Sequence, residues 1–168
     1  MNAVHQTRSH VTRAGAHRLA IQIATAATPV PARAFIARCV LAALGKRRAA
    51  CELTVRIVGH AEARALNRRW RGHDYATNVL AFPAAAIPHL SPPPLGDIVL
   101  CAPAVAREAL AQRKPPRAHW AHLLVHGVLH LLGDTHDRAA SARRMEARER
   151  RILARLGFSD PYRADVAA

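Results

Sequence analysis

The 168-residue sequence predicts an α+β fold: a small four-stranded mixed sheet packed with about five helices. Three observations carry that prediction. Short apolar or alternating runs recur at four places along the chain. Longer stretches of helical composition separate them, and the last three follow one another without an intervening strand. Hydrophobic residues make up 51% of the chain, enough for a real core and too many for global disorder.

The elements follow in order. Residues 1–15 read as a basic arm in which His5 and His10 are solvated, so the domain proper spans 16–163 and 164–168 is a tail. Leu19, Ile21 and Ile23 alternate within a strand over 18–25. Pro29 and Pro31 punctuate, and AFIARCVLAALG reads as a helix ending at Gly45. KRRAA is an exposed connector to ELTVRIV (52–58), the clearest strand. AEARALNRRW (61–70) has helical composition; RGHDYATNVLAFP leads from it into a short strand, 79–82. The stretch 83–94 holds five prolines and reads as a long loop close to the functional surface. LGDIVLCAP (95–103) is an apolar strand, followed by helices at about 103–112, 117–132 and 138–156.

Composition narrows the partners. The chain carries 25 basic and 11 acidic residues, a formal charge of +14, and only Lys46 and Lys114 of the basic residues are lysines. Arginine's planar fork suits bidentate phosphate contacts, so a polyanion, nucleic acid first, is the expected partner. Cys39, Cys51 and Cys101 are far apart and lack C-x-x-C spacing, which excludes a cysteine-based zinc site or a disulfide framework and fits buried thiols in a reducing cytoplasm. No apolar run is long enough to cross a membrane, and Gln22 interrupts the one stretch that mimics a signal peptide.

The chemistry concentrates in HGVLHLLGDTH. His126 and His130, four residues apart, project from one face of a helix. Gly133 lets the chain turn, and His136 swings back towards them. Three imidazoles converging with a fourth position open is how a catalytic zinc is held. Leu123, Leu124, Val125, Val128, Leu129, Leu131 and Leu132 make the helix apolar around its circumference, hence buried, and buried imidazoles need partners. His119 and His122 lie on nearly the same stripe and read as donors behind the ligands, as phosphate contacts or, the preferred reading, as partly exposed helix residues. The spacing H-x-x-x-H-x-x-G-x-x-H is that of metzincin proteases, but the residue after the first histidine is Gly127 where a protease carries its glutamate base. Phosphodiester cleavage relies more on metal hydroxide and cations than on such a base.

Beyond these residues, the chain resembles the YbeY family of bacterial metal-dependent endoribonucleases from about Glu52 to Tyr162. The resemblance lies in ELTVRIV, LNRRWRGHDYATNVLAFP, LGDIVLC, AHWAHLLVHGVLHLLGDTH and RRMEARERRILARLGFSDPYR, in that order. It implies a zincin-like histidine helix beside a four-stranded mixed sheet, and one Zn²⁺ per chain on His126, His130 and His136. It implies a cytoplasmic enzyme that cuts single-stranded RNA in 16S rRNA 3′-end maturation and ribosome quality control. Ribosomal RNA, the small subunit and assembly factors would be its partners, and a membrane would not. Arg71, in WRGHD, would stabilise the phosphate as a catalytic residue beside His126. Thr77 and Asn78 would meet backbone or substrate near the metal, or form a turn; Asp97 would be a carboxylate behind the ligands or a cap of its strand.

The chain departs from the family pattern at several positions. Gly133-Asp134-Thr135-His136 replaces the family's G-Y-D-H, so Asp134 or Asp137 would have to orient an imidazole. His73 stands for a family lysine, and DRAASARR replaces an acidic stretch, so that helix face attracts RNA or docks on an acidic protein. Two rivals to the nuclease stay open: a zinc-dependent peptidase or amidase whose base comes from elsewhere, and a non-catalytic RNA-binding assembly factor with structural zinc.

Overall fold

The computed structural model describes residues 8–14, 16–26, 28–45 and 49–163. Along the chain the elements run β1 (Arg8–Ala14), β2 (His17–Ile23), α1 (Arg33–Leu44), β3 (Glu52–Val58), α2 (His60–Arg71), β4 (Val79–Pro83), β5 (Pro94–Cys101), α3 (Ala102–Ala111), α4 (Pro116–Leu131) and α5 (Ala139–Arg155). The strands form one mixed sheet in the order β1-β2-β3-β5-β4. β2, β3 and β5 are parallel to one another, whereas β1 and β4 run antiparallel at the two edges.

Strand position follows from side-chain pattern. β5 is buried at six of its eight positions, as a central strand covered on both faces must be. Its Ile98 and Leu100 join Leu53, Val55 and Ile57 of β3 in the main core, under α1, α4 and α5. Val99 and Cys101 point to the opposite face and form a smaller core with Val58, Ala63, Ala76, Leu80 and Ala104, covered by α2 and the start of α3. The five expected helices are all present. Four of the strands coincide with the expected ones, and Arg8–Ala14 adds a fifth.

That fifth strand lies in the segment expected as a basic arm. RSHVTRA pairs with β2 from Arg8–Ile23 to Ala14–His17. Its Val11 is 58% exposed, and the strand pairs through its backbone along the edge of β2. Hydrophobic periodicity is silent on such a strand. Residues 1–7 of the arm and the tail 164–168 lie outside the described residues.

α4 is the helix that positions the site. It begins with Pro116 at a position where the missing N–H costs nothing, and it buries ten of its sixteen residues. It packs on α1 and crosses β4 and β5. Gly127 allows that closeness: a Cβ there would stand 2.9 Å from Ile98 Cγ2, on a β-branched side chain that cannot turn away. The position that would hold a protease glutamate is therefore a packing contact between helix and sheet.

Gly127→Ala should lower stability. Overpacking costs typically about 1–3 kcal/mol, and the better helix propensity of alanine returns at most about 1 kcal/mol. Urea unfolding should show the loss, and a double-mutant cycle with Ile98→Ala should show favourable coupling, because the clash disappears with the isoleucine methyl.

Candidate metal centre

α4 aligns His119, His122, His126 and His130 on one stripe, spaced by three and then four residues. The helix ends at Leu132, and Gly133 takes φ +92°, a left-handed conformation that glycine adopts without strain. The reversal is pinned by Gly133 N–H on the His130 carbonyl at 3.0 Å and Asp134 N–H on the Leu129 carbonyl at 3.0 Å. It returns His136 to the first two histidines. The three rings lie with centroids 4.6 Å (126–130), 5.0 Å (126–136) and 4.9 Å (130–136) apart, and one ring nitrogen from each falls within 4.8 Å of the others.

The donor set fits a metal ion. Nε2 of His126 and Nε2 of His130 face each other at 3.1 Å. Two imidazole nitrogens bound tetrahedrally to one zinc stand about 3.4 Å apart, given a Zn–N distance of about 2.1 Å. The outer side of His126 is already committed: its Nδ1–H donates to Glu149 Oε1 at 2.7 Å, which leaves Nε2 bare. His130 has a hydrogen bond with the Asp134 backbone, and burial, then the neighbouring His126 and His136, push its pKa down. Its neutral ring is thus also ready as a ligand.

Glu149 was not visible as a site residue in the sequence. It sits on α5 and is completely buried. Burial alone raises its carboxyl, but contacts with His122, His126 and Tyr162 outweigh that and hold it down at about 2. The Tyr162 hydroxyl donates a short hydrogen bond to Oε2. Burial, and then the Glu149 carboxylate, push the Tyr162 pKa well up, so it remains a donor. His122 Nε2 lies 3.4 Å from Oε2, near enough for attraction but not aligned for a hydrogen bond. The signal for Glu149 was a carboxylate in an otherwise apolar stripe, with Met145 four residues before it and Ile152 and Leu153 three and four after.

The other candidates separate cleanly. Arg71, at the end of α2, makes no hydrogen bond or ion pair among the described residues and lines the same cleft of about 600 Å³ as His126, His130 and His136. Thr77 also lines it. Asn78 is a turn-former: its Oδ1 accepts from Val79 N–H at 2.6 Å and its Nδ2 donates to Glu108 Oε2 at 2.8 Å. Asp97 is exposed on β5 away from the cleft. Asp134 accepts from Arg148 at 2.5 Å, so it does not orient an imidazole with its carboxylate; Glu149 fills that role from another helix. His119 is 3% exposed and 3.0 Å from Glu108 Oε2, not a partly exposed residue as its stripe suggested; His122 is half-buried. Of the proline-rich stretch only Pro83 reaches the cleft.

A family model described as endoribonuclease YbeY matches residues 22–157. An endoribonuclease YbeY of Alkalilimnicola ehrlichii is 55% identical over 140 residues, which cover 81% of this chain and 84% of that protein. One of Halorhodospira halophila is 61% identical over 114 residues, 66% of this chain and 74% of that protein. One of Stutzerimonas stutzeri is 53% identical over 136 residues, 80% of this chain and 85% of that protein.

Glu149→Gln should weaken Zn²⁺ affinity about 10–100-fold in competition with a chromophoric chelator, because His126 loses the charge that holds its tautomer. The same carboxylate makes the metal-free protein acid-sensitive. Its folded pKa, about 2, lies below the ordinary 4.5, so the unfolded chain takes up the proton first as pH falls. The stabilisation is complete above pH 4.5 and is lost as pH drops towards 2. It amounts to a few kcal/mol, and urea midpoints from about pH 6 to about pH 3 should fall less steeply in the glutamine variant.

Proposed function

Because this chain belongs to the endoribonuclease YbeY family, we propose that it is a metal-dependent endoribonuclease that cuts single-stranded RNA. In this reading His126, His130 and His136 hold one zinc ion and Arg71 is the catalytic cation. The observation that carries it is the shared cleft: an unpaired arginine and three converging imidazoles line the same concavity.

A zinc ion held by His126, His130 and His136 would supply Lewis acidity to a phosphate oxygen and lower the pKa of a water. The chain's own residues do the rest. Glu149 fixes His126 with Nδ1 outward and Nε2 towards the cleft, and the hydrogen bond with the Asp134 backbone orients His130. Arg71 meets a non-bridging phosphate oxygen with its planar fork and offsets the charge that grows on it during displacement. The basic excess of the chain draws the polyanion in and makes binding sensitive to salt.

A peptidase reading lacks the glutamate that its spacing calls for. Gly127 occupies the protease position, Glu149 stands behind His126, and the carboxylates that line the cleft are Asp134, paired with Arg148, and Asp137. The triad group holds three donors, His126, His130 and His136, which suits an open coordination position better than a closed structural site. We extend the reading to the 3′ end of 16S rRNA as substrate, to the small subunit and its assembly factors as partners, and to the cytoplasm as location, with 16–163 as the catalytic domain. The family membership and the basic charge support that extension.

His126→Ala and His130→Ala should lose both bound metal and RNA cleavage. Arg71→Ala should retain the metal and lose about 10²-fold or more in kcat. Metal content by elemental analysis and cleavage of a labelled single-stranded RNA check both. Full cleavage by metal-stripped protein would overturn the reading.

A further inference from the structure

Immediately after α2, Gly72–Tyr75 carries two aromatic rings along the wall of the cleft, next to Arg71. His73 and Tyr75 stand with ring centroids 5.8 Å apart and planes 33° apart, and both line the cleft. Tyr75 is 58% exposed. Exposed rings are unremarkable on mobile loops, but this one is clamped. The Asp74 carboxylate accepts from Arg64 Nε at 2.9 Å and from Arg64 Nη2 at 2.7 Å. The Tyr75 carbonyl accepts from Nδ2 of Asn67, a side chain only 2% exposed, at 2.8 Å. The left-handed Gly72 ties the start of the segment to the Arg68 carbonyl at 3.2 Å.

Other exposed apolar side chains differ. Trp70 packs its ring against Phe82 and lies under the Arg69 guanidinium, 5.2 Å from its centroid. Ile87, Leu90 and Leu110 are exposed away from the cleft. Tyr75 and His73 alone among the described residues combine an aromatic face, a rigid backbone and a place beside both Arg71 and the imidazole triad.

We propose that His73 and Tyr75 form a stacking platform for one unpaired nucleobase, beside the phosphate that Arg71 contacts. The proposal rests on the endoribonuclease reading and names how the cleft recognises its substrate. Stacking on an aromatic face tolerates every base, and it requires a base freed from its neighbours. A paired base within a helix has both faces covered, so the platform makes the cleft select single-stranded RNA without reading its sequence. Because Asp74 and Asn67 hold the segment in place beforehand, binding does not have to order it.

The test uses an eight-nucleotide single-stranded RNA with one 2-aminopurine, whose fluorescence is quenched on stacking, titrated into zinc-loaded protein alongside cleavage kinetics. The native protein should quench the probe. Tyr75→Ala should lose the quenching and raise KM about 10-fold with kcat unchanged, Tyr75→Phe should keep both at native values, and His73→Ala should fall between. Equal quenching and equal KM in Tyr75→Ala would overturn the platform. So would a loss confined to kcat, which would make Tyr75 a support for Arg71 instead. A native protein that quenches the probe without cutting RNA would keep the platform and refute the endoribonuclease reading; one that cuts RNA without quenching would do the reverse.

Discussion

The hydrogen bond from His126 Nδ1 to the buried carboxylate of Glu149 is the constraint on which the rest of the site depends. It joins α4 to α5, and it decides which nitrogen of His126 faces the cleft. A fully buried carboxylate is tolerated only when it is surrounded by donors. Here they come from two parts of the chain: His126 on α4, with His122 nearby, and Tyr162 beyond the end of α5. The Tyr162 segment is held in turn by Asp160, which accepts from Tyr162 N–H at 2.9 Å and from Arg150 Nε at 3.2 Å. The imidazole cluster, the docking of α5 on α4 and the C-terminal turn are thus one network.

The sheet imposes the second constraint. α4 must lie close enough to β5 for His126 and His130 to sit at the floor of a cleft whose far wall comes from α2 and β4. Gly127 permits that approach on the helix side, and Gly96 permits β4 to close on β5: a Cβ at 96 would stand 2.3 Å from the Phe82 carbonyl oxygen, and φ there is +138°. Both glycines are thus matters of clearance, and the cleft is a product of how tightly the helix and the edge strand press on one central strand.

Much of this was legible in the sequence because periodicity and spacing report local geometry. The alternation in ELTVRIV, the apolar run of LGDIVLC and the H-x-x-x-H step each describe a single element, and each sits where it was expected. What stayed hidden depends on two elements at once. Glu149 looks like one more charge in an arginine-rich helix until α5 docks on α4; only then is its burial visible. Asp134 looked like a replacement for a displaced aspartate, but it is taken by Arg148, which lies fourteen residues on. β1 escaped because RSHVTRA carries no apolar alternation in the sequence, while its place in the sheet is given by backbone pairing with β2. His119 was misread for a related reason: its partner, Glu108, comes from α3.

The contrast between the histidine spacing and Gly127 also explains why a protease-like frame suits phosphate chemistry. In a peptidase the residue after the first histidine must reach a water on the open side of the metal and later protonate an amine. In this chain that position faces Ile98 at van der Waals contact or closer, so no side chain fits there without displacing the helix. The general base has been replaced by clearance, and the carboxylate that remains in the network lies behind the imidazole, where it tunes the ligand instead of the water. Into the cleft face the Arg71 guanidinium, Asp134, which Arg148 pairs, and Asp137. A reaction whose transition state gathers negative charge on a phosphate gains from that arrangement, whereas one that must deliver a proton to a leaving amine does not. The same three imidazoles can therefore serve different chemistry according to what stands across from them, and in this chain packing against β5 leaves no room for a glutamate at position 127.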